Sequence, residues 1–158
     1  MTTVKPTRFL MNCGDVMCAK KTKIPAERDD DQDAVEAILG HIARYRVSTF
    51  AALSRLPHFA DESPRHLRRL LRDCREAELL SSAALHSGSR YWFLTPAGAT
   101  RCGLDESRSG PMSETAKLRA YALLLFCCLS DRPRHRLTPS ELSQQFSLLH
   151  RPGMPGTY

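Results

Sequence analysis

Five arginines crowd one short stretch, SPRHLRRLLRDC and the residue that follows it: Arg65, Arg68, Arg69, Arg72 and Arg75. A guanidinium stays charged at any ordinary pH and presents a rigid fork of N–H donors, so such a set is suited to recognising anionic or oxygen-rich groups and not to moving protons. With about 100° per residue, Leu67, Leu70, Leu71 and Cys74 fall within one stripe, the width of a single buried helix side. Arg65, Arg69 and Arg72 then project from the opposite side, flanked by Arg68 and Arg75. Ser63 supplies a side-chain cap for the first turn, and Pro64 at the first helical position lacks only a donor that would be orphaned anyway. A solvated face usually mixes signs through i,i+4 pairs, and here the acids are few. Two readings stay open on this stretch alone: a solubilising face and a face made for an anionic partner.

No other residues assemble into a reactive set. His41, His58, His86, His135 and His150 form no local ligand pair, and none stands beside a Cys or Ser in a nucleophile motif. No glycine loop for phosphate is present. The six cysteines, at 13, 18, 74, 102, 127 and 128, lack paired Cys-x-x-Cys knuckles. Cys74 lies on an apolar helix face and Cys127 and Cys128 within an apolar run, which suits free buried thiols in a reducing compartment. Cys13 and Cys18 make a lone Cys-x4-Cys, weak evidence for zinc. The expectation is a protein without catalytic residues, metal or cofactor.

The elements that must carry the arginines are legible on either side of them. A chain of 158 residues has room for one modest core with appendages, and its formal charge of +6 points to nucleic acid or a membrane surface. The longest apolar run, YALLLFCCL from Tyr121 to Leu129, is too short to cross a bilayer. The N-terminal stretch is broken by Lys5, Arg8, Asn12 and Asp15, so no secretory apolar region is expected; the location expected is cytoplasmic, with no membrane partner. Residues 1–26 carry a net charge of +4 and 27–39 one of −5, so residues 1–30 read as a disordered basic and acidic arm, with Met17 as an alternative start. The run DDDQD reads as a helix entry, because carboxylates favour the positive end of the dipole.

From Ala34, the positions Val35, Ile38, Leu39, Ile42 and Ala43 repeat at helical spacing to about Arg44. Tyr45 to Val47 then reads as extended, and Ser48 or Thr49 can cap a second helix that carries Phe50, Leu53 and Leu56 and stops at Pro57. The arginine helix follows and ends near Glu76 to Glu78. LLSSAALHSGSRYWFL reads as two strands joined by a loop from His86 to Ser89, and Thr95 with Pro96 opens a helix to about Cys102. This order of helix, short strand, helix, helix, hairpin and helix is that of a winged helix-turn-helix, a mainly α fold with a small β-hairpin wing (α+β). The domain spans 31–104, followed by a linker at 105–112, a C-terminal helical region at 113–150 and a tail at 151–158.

SPRHLRRLLRDCREAELL followed by SGSRYWFLTPAG resembles winged-helix transcriptional regulators of the MarR-like kind and winged-helix proteins of plasmid replication control. Their wing pattern Asp-x-Arg-x-x-x-Leu-Thr-x-x-Gly is met here by Arg90, Leu94, Thr95 and Gly98, with Gly88 in place of the Asp. Family members usually place Gly where the recognition helix turns into the wing; this chain has Glu78, so either the turn differs or Glu78 carries a positive φ. The resemblance covers about residues 34–104. It implies double-stranded DNA as the partner, with Arg65, His66, Arg68 and Arg69 nearest the base edges, Arg90 on phosphate or minor groove, Arg72 and Arg75 on the backbone or in solvent, and Ser63 at the helix start. Trp92 shares a strand face with Leu94 and is expected in the core.

Ser113 to Leu129 reads as a helix with Leu118, Tyr121, Ala122, Leu125 and Leu129 on one face, and its surplus apolar surface suggests a homodimer through this C-terminal helix. A chain cut after about Asp105 is then expected to stay folded and to lose self-association. Thr138, Pro139 and Glu141 form a capping box for a further helix to about Leu149. The ending RPGMPGTY stops abruptly, as the edge of a longer protein would. Two functions from different classes follow: a sequence-specific DNA-binding regulator, or a winged-helix protein-interaction module without nucleic acid.

Overall fold

The computed structural model describes residues 29–85, 88–132 and 134–145. The basic arm expected at the N-terminus, Cys13 and Cys18, His86 and Ser87 of the hairpin loop and the tail lie outside the described residues. Among the described residues the chain is mainly helical, with one antiparallel two-stranded hairpin, an α+β arrangement.

Helix α1 (Asp29–Tyr45) starts earlier than its apolar periodicity indicates, because the acidic run forms its first turns and does not precede them. Val35, Ile38, Leu39 and Ile42 are fully buried. The helix ends in a left-handed cap: Arg46 adopts a φ of 66° and its N–H donates to the Ile42 carbonyl at 2.7 Å. Tyr45 is thus still helical and Arg46 is not extended, so the stretch expected as extended gives way to a one-residue bridge at Ser48. Ser48 and Trp92 exchange backbone hydrogen bonds at 3.1 and 2.8 Å.

Thr49 caps helix α2 (Phe50–Leu53) by accepting from the Ala52 N–H. That helix is a single turn and does not reach Leu56 as expected. A residue before proline is driven out of the α region, and Leu56 sits extended ahead of a 3-10 turn (Pro57–Phe59) that buries Phe59. Helix α3 (Pro64–Glu76) buries the four residues the stripe picks out, Leu67, Leu70, Leu71 and Cys74. Its start differs in one detail. The Ser63 hydroxyl makes no capping bond, and it is the Ser63 carbonyl that accepts from the His66 N–H at 2.9 Å.

The end of α3 settles the question raised by Glu78, whose φ is 56°. The Leu79 N–H reaches the Cys74 carbonyl at 2.9 Å and the Glu78 N–H the Arg75 carbonyl at 3.0 Å, the paired bonds of a Schellman cap. A side chain in this conformation costs about 1–2 kcal/mol. Glu78→Gly is thus expected to stabilise the fold by about 1 kcal/mol in urea denaturation, after the added freedom of the unfolded chain is set against the relieved strain. A destabilised variant would show that the Glu78 side chain contributes more than its backbone strain costs.

Strands β1 (Leu80–Ala84) and β2 (Arg90–Leu94) pair with Leu80 opposite Leu94 and Ala84 opposite Arg90. Both faces of β2 are covered. Trp92 and Leu94 pack with the core of α1 and α3, whereas Tyr91 and Phe93 join Val47, Leu85 and Ala120 in a second cluster. Helix α4 (Pro96–Arg101) follows under a Thr95 cap, and the Arg101–Glu36 ion pair at 2.6 Å ties it to α1.

The C-terminal part is built into this core. In the segment expected as a linker, the Gly110 N–H donates to the Leu94 carbonyl at 2.9 Å and Met112 packs on the second cluster. Helix α5 (Glu114–Leu124) runs on as a π-helical turn (Leu125–Leu129). It buries Lys117, Ala120, Leu124 and Cys127; of the face named by periodicity, Tyr121 and Leu129 are half-buried against the core while Leu118 and Leu125 stand 47% and 40% exposed, and Phe126 is 58% exposed. A helix apolar nearly all round carries no stripe from which to choose, and the small side of Ala120 is what fits against Tyr91 and Phe93. A chain cut after Asp105 would uncover Val47, Tyr91, Phe93, Tyr45 and Ala52, so that unit does not have a closed core of its own. Helix α6 (Pro139–Gln145) shows the expected capping box: the Thr138 N–H donates to the Glu141 carboxylate at 2.6 Å and the Glu141 N–H to the Thr138 hydroxyl at 3.3 Å.

Candidate nucleic-acid interface

With one side of α3 sunk in the core, its other side must face outward. Arg65, Arg68, Arg72 and Arg75 are exposed, as is Ser63, whereas His66 and Arg69 are half-buried. Arg65, Arg68 and Arg75 have no carboxylate partner among the described residues, and the Arg68 guanidinium lies over the Phe50 ring at 5.0 Å from its centre. Arg72 is held loosely, with Asp73 at 3.7 Å and Glu76 at 3.9 Å and its side chain 60% exposed. Arg90, the first residue of β2, is exposed and likewise lacks a carboxylate partner among the described residues.

Arg69 is in a different position from its neighbours. Asp31, only 3% exposed, receives its guanidinium at 2.8 Å, and His66 stands 3.5 Å from the other oxygen of the same carboxylate. Arg69 also reaches Asp73 at 3.8 Å and His66 Nδ1 at 3.3 Å. Two of the four side chains that the resemblance puts nearest to base edges thus hold α3 against the first turn of α1. Asp31 is the residue sequence reasoning missed. The signal was its spacing, four residues ahead of Val35 and on the same buried side as Ile38 and Ile42.

The Leu-Thr-x-x-Gly motif explains how the hairpin is held to the end of α3. Leu94 is core. The Thr95 N–H donates to the Leu79 carbonyl at 3.2 Å, and its hydroxyl donates to the Glu78 carbonyl while accepting from the Gly98 N–H at 3.1 Å. The Leu79 carbonyl oxygen lies where a side chain at Gly98 would go, 2.1 Å from the position of its Cβ. The motif is thus a clasp between the α3 cap and α4. Trp92 is half-buried on the core beside Leu94, where the sequence places it.

A second group of polar side chains gathers elsewhere. A cleft of about 560 Å³ is lined by α1, α2 and the residues after α5, with His41, Tyr45 and Cys128 on its wall. The Cys128 Sγ is 3.6 Å from His41 Nε2, and the Tyr45 hydroxyl accepts from the Arg136 N–H at 3.4 Å. Burial, with Arg44 close by, lowers His41 to about 4, so the imidazole is neutral near pH 7; burial also raises the Cys128 thiol. Between about 6.5 and 4 the unfolded chain binds a proton at His41 that the folded chain does not, so stability is expected to fall as pH drops through that window. Urea unfolding at pH 6.5 and 5.0 should show a smaller loss for His41→Gln than for the parent. Parallel losses would assign the acid sensitivity to other groups.

No group of three His, Cys, Asp or Glu side chains among the described residues could hold a metal ion, and no helix among them is long and apolar enough to cross a membrane. Comparison with protein-family models, curated proteins and solved structures gives no match for this chain.

Proposed function

We propose that the chain binds double-stranded DNA through a winged helix-turn-helix made of α2, α3 and the hairpin, as a sequence-specific transcriptional regulator or plasmid replication-control protein. The observation that carries this reading is the outer side of α3: Arg65, Arg68 and Arg75 stand exposed without carboxylate partners among the described residues, on a helix whose other side is locked in the core. A merely solubilising face gains nothing from leaving so many guanidinium groups unanswered, whereas a phosphate backbone supplies their counter-charge. Arg65 and Arg68 at the N-terminal half of α3 are the base-reading pair, Arg75 and Arg90 grip phosphate, and Arg69 with His66 fixes the helix on Asp31.

Duplex binding measured at 50 and 200 mM salt tests the proposal. The two phosphate contacts of Arg75 and Arg90 give a loss of about tenfold in affinity over that range. Absence of binding to any duplex at 50 mM would end it, in favour of the protein-interaction module. That second reading draws on the exposed apolar side chains of Leu118 in α5 and of Leu125 and Phe126 in the π-helical turn, the Phe126 ring carrying the Arg134 guanidinium 4.3 Å from its centre. On the DNA-binding reading these same side chains join two copies, because two-fold symmetry matches a palindromic site. Sedimentation at tens of micromolar, a range set by weak association, should then give a dimer for the parent and a monomer for Phe126→Asp. A monomeric parent would remove the dimer from the proposal.

A further inference from the structure

We propose that three arginines gathered at the C-terminal end of α1, Arg46, Arg108 and Arg136, form a binding site for a phosphate monoester dianion, at the far end of the hairpin from Arg90. They come from three places in the chain. Arg46 directly follows α1, Arg108 ends the 3-10 turn Glu106–Arg108, and Arg136 precedes α6. The Arg46 Nη2 donates to the carbonyl of Ser107, the residue before Arg108, at 3.3 Å, and the Arg136 Nη1 donates to the carbonyl of Arg44, two residues before Arg46, at 3.1 Å. All three residues are half-buried.

Arg46 is held against several unfavourable terms. Its φ of 66° is a left-handed conformation that side chains disfavour and glycine adopts freely. Its Nε is buried with no hydrogen-bond partner among the described residues, and an unpaired buried donor is costly. Neither Arg46 nor Arg108 has a carboxylate partner among the described residues. The acids nearby are engaged elsewhere or turned away: Asp105 accepts from the Ser107 N–H at 2.8 Å, Glu141 receives Arg44 at 2.7 and 2.9 Å, and Glu106 is exposed and pairs with neither arginine. Burial, and then the charges of Arg108 and Arg136, lower the Arg46 guanidinium from its ordinary value. The partial negative charge at the end of α1 offsets about half of one cation, not three.

A phosphate dianion supplies what the cluster lacks. Its tetrahedral oxygens accept from several guanidinium forks at once, whereas a carboxylate offers two oxygens in one plane and chloride no directed acceptor. Position separates this site from the DNA face proposed for α3 and Arg90. The antiparallel exchange between Ser48 and Trp92 puts Arg46, two residues earlier, toward the Leu94 end of β2, and the Gly110 N–H on the Leu94 carbonyl draws residues 105–110 to the same end. Arg90 begins the strand at its other end, about 13 Å away at the rise of an extended chain. The inference does not depend on DNA binding.

Titration of the full chain with inorganic phosphate and with methyl phosphate tests it, followed by amide NMR at about pH 7.5, where both are largely dianions, with ionic strength fixed by sodium chloride. Both are expected to shift the amides of Arg46, Val47 and Arg108 with saturation on the order of 1 mM, to leave those of Arg68 and Arg90 in place, and to raise the Tm as a ligand of the folded state does. Arg108→Gln should weaken methyl phosphate about tenfold. Arg46→Gly should abolish binding without lowering the Tm of the phosphate-free protein, since glycine takes the left-handed conformation and a repelling charge is gone. Shifts no larger than those from added chloride, shifts spread equally over the arginines of α3, or unchanged binding to Arg108→Gln would each overturn the proposal. So would a lowered Tm for Arg46→Gly in a parent that does not bind phosphate, the result expected if these arginines only staple the chain around the end of α1. A random duplex that shifts the Arg46 and Arg108 amides and binds there more tightly than methyl phosphate would assign the cluster to the DNA backbone, and the free phosphate monoester would be overturned as its occupant.

Discussion

Gly98→Ala is expected to destabilise the fold by about 3 kcal/mol, although alanine in a helix normally stabilises by up to about 1 kcal/mol relative to glycine. The sign follows from one contact. The added methyl group would stand 2.1 Å from the Leu79 carbonyl oxygen and 3.0 Å from its carbon, both backbone atoms that cannot swing aside. Relief requires α4 to move off the α3 cap, which breaks the Thr95 N–H bond to Leu79 and strains the Thr95 hydroxyl between Glu78 and Gly98. For a domain of this size the Tm should fall by about 10 °C in a thermal melt followed by circular dichroism. Thr95→Val separates the clasp from the steric clash: it removes the hydroxyl bonds and leaves the carbonyl where it is, at a cost of about 1 kcal/mol. A Gly98→Ala protein as stable as its parent would mean that the two backbones do not meet as described.

What could be read from the sequence was what local chemistry decides. The α3 stripe, the proline start, the hairpin, the Thr95 cap and the Thr138–Glu141 box each depend on residues within one or two turns of one another, and each is found in place. The positive φ of Glu78 belongs with them, because a helix that must turn directly into a strand needs a left-handed residue whatever its type. The rest depends on partners distant in the chain. Arg69 reads as a surface arginine until α1 brings Asp31 beneath it, 38 residues away. Arg46 is the less obvious left-handed residue, since neither its type nor its neighbours announce a helix end. The buried face of α5 could not be chosen from a segment with leucine on nearly every side; the hairpin chose it. The cleft is invisible for the same reason, as Gly40, Ala52, Arg55 and Cys128 come from three separate elements.

The separation of Arg69 from the other arginines gives the DNA-binding proposal its most demanding test. On a preferred duplex, Arg65→Ala or Arg68→Ala is expected to cost about 1–3 kcal/mol if the fork meets guanine O6 and N7, and much less on random duplex, so specificity relaxes. Arg90→Ala and Arg75→Ala should weaken both duplexes alike and lower the salt slope by about one unit each, as loss of a phosphate contact does. Combined in Arg65→Ala, Arg68→Ala, Arg90→Ala, the losses should take affinity down by a factor on the order of 1,000 at 50 mM salt, provided the sites act independently. The fold should survive, because none of the three side chains faces Leu67, Leu70, Leu71 or Cys74. Arg69→Ala belongs to another class. It leaves the Asp31 carboxylate buried with only His66 beside it, so its first effect is on stability, about 2 kcal/mol after allowance for the partly exposed guanidinium. Asp31→Ala should cost a similar amount, and the double variant less than the sum, since each single change already breaks the pair. Binding by Arg69→Ala is then compared only under conditions where circular dichroism shows it folded, and there it should retain most of its affinity. If instead Arg69→Ala is as stable as the parent and binds no better than the triple variant, Arg69 reads DNA and the Asp31 pair is incidental; if the folded triple variant binds as the parent does, the arginines of α3 are a solvated face.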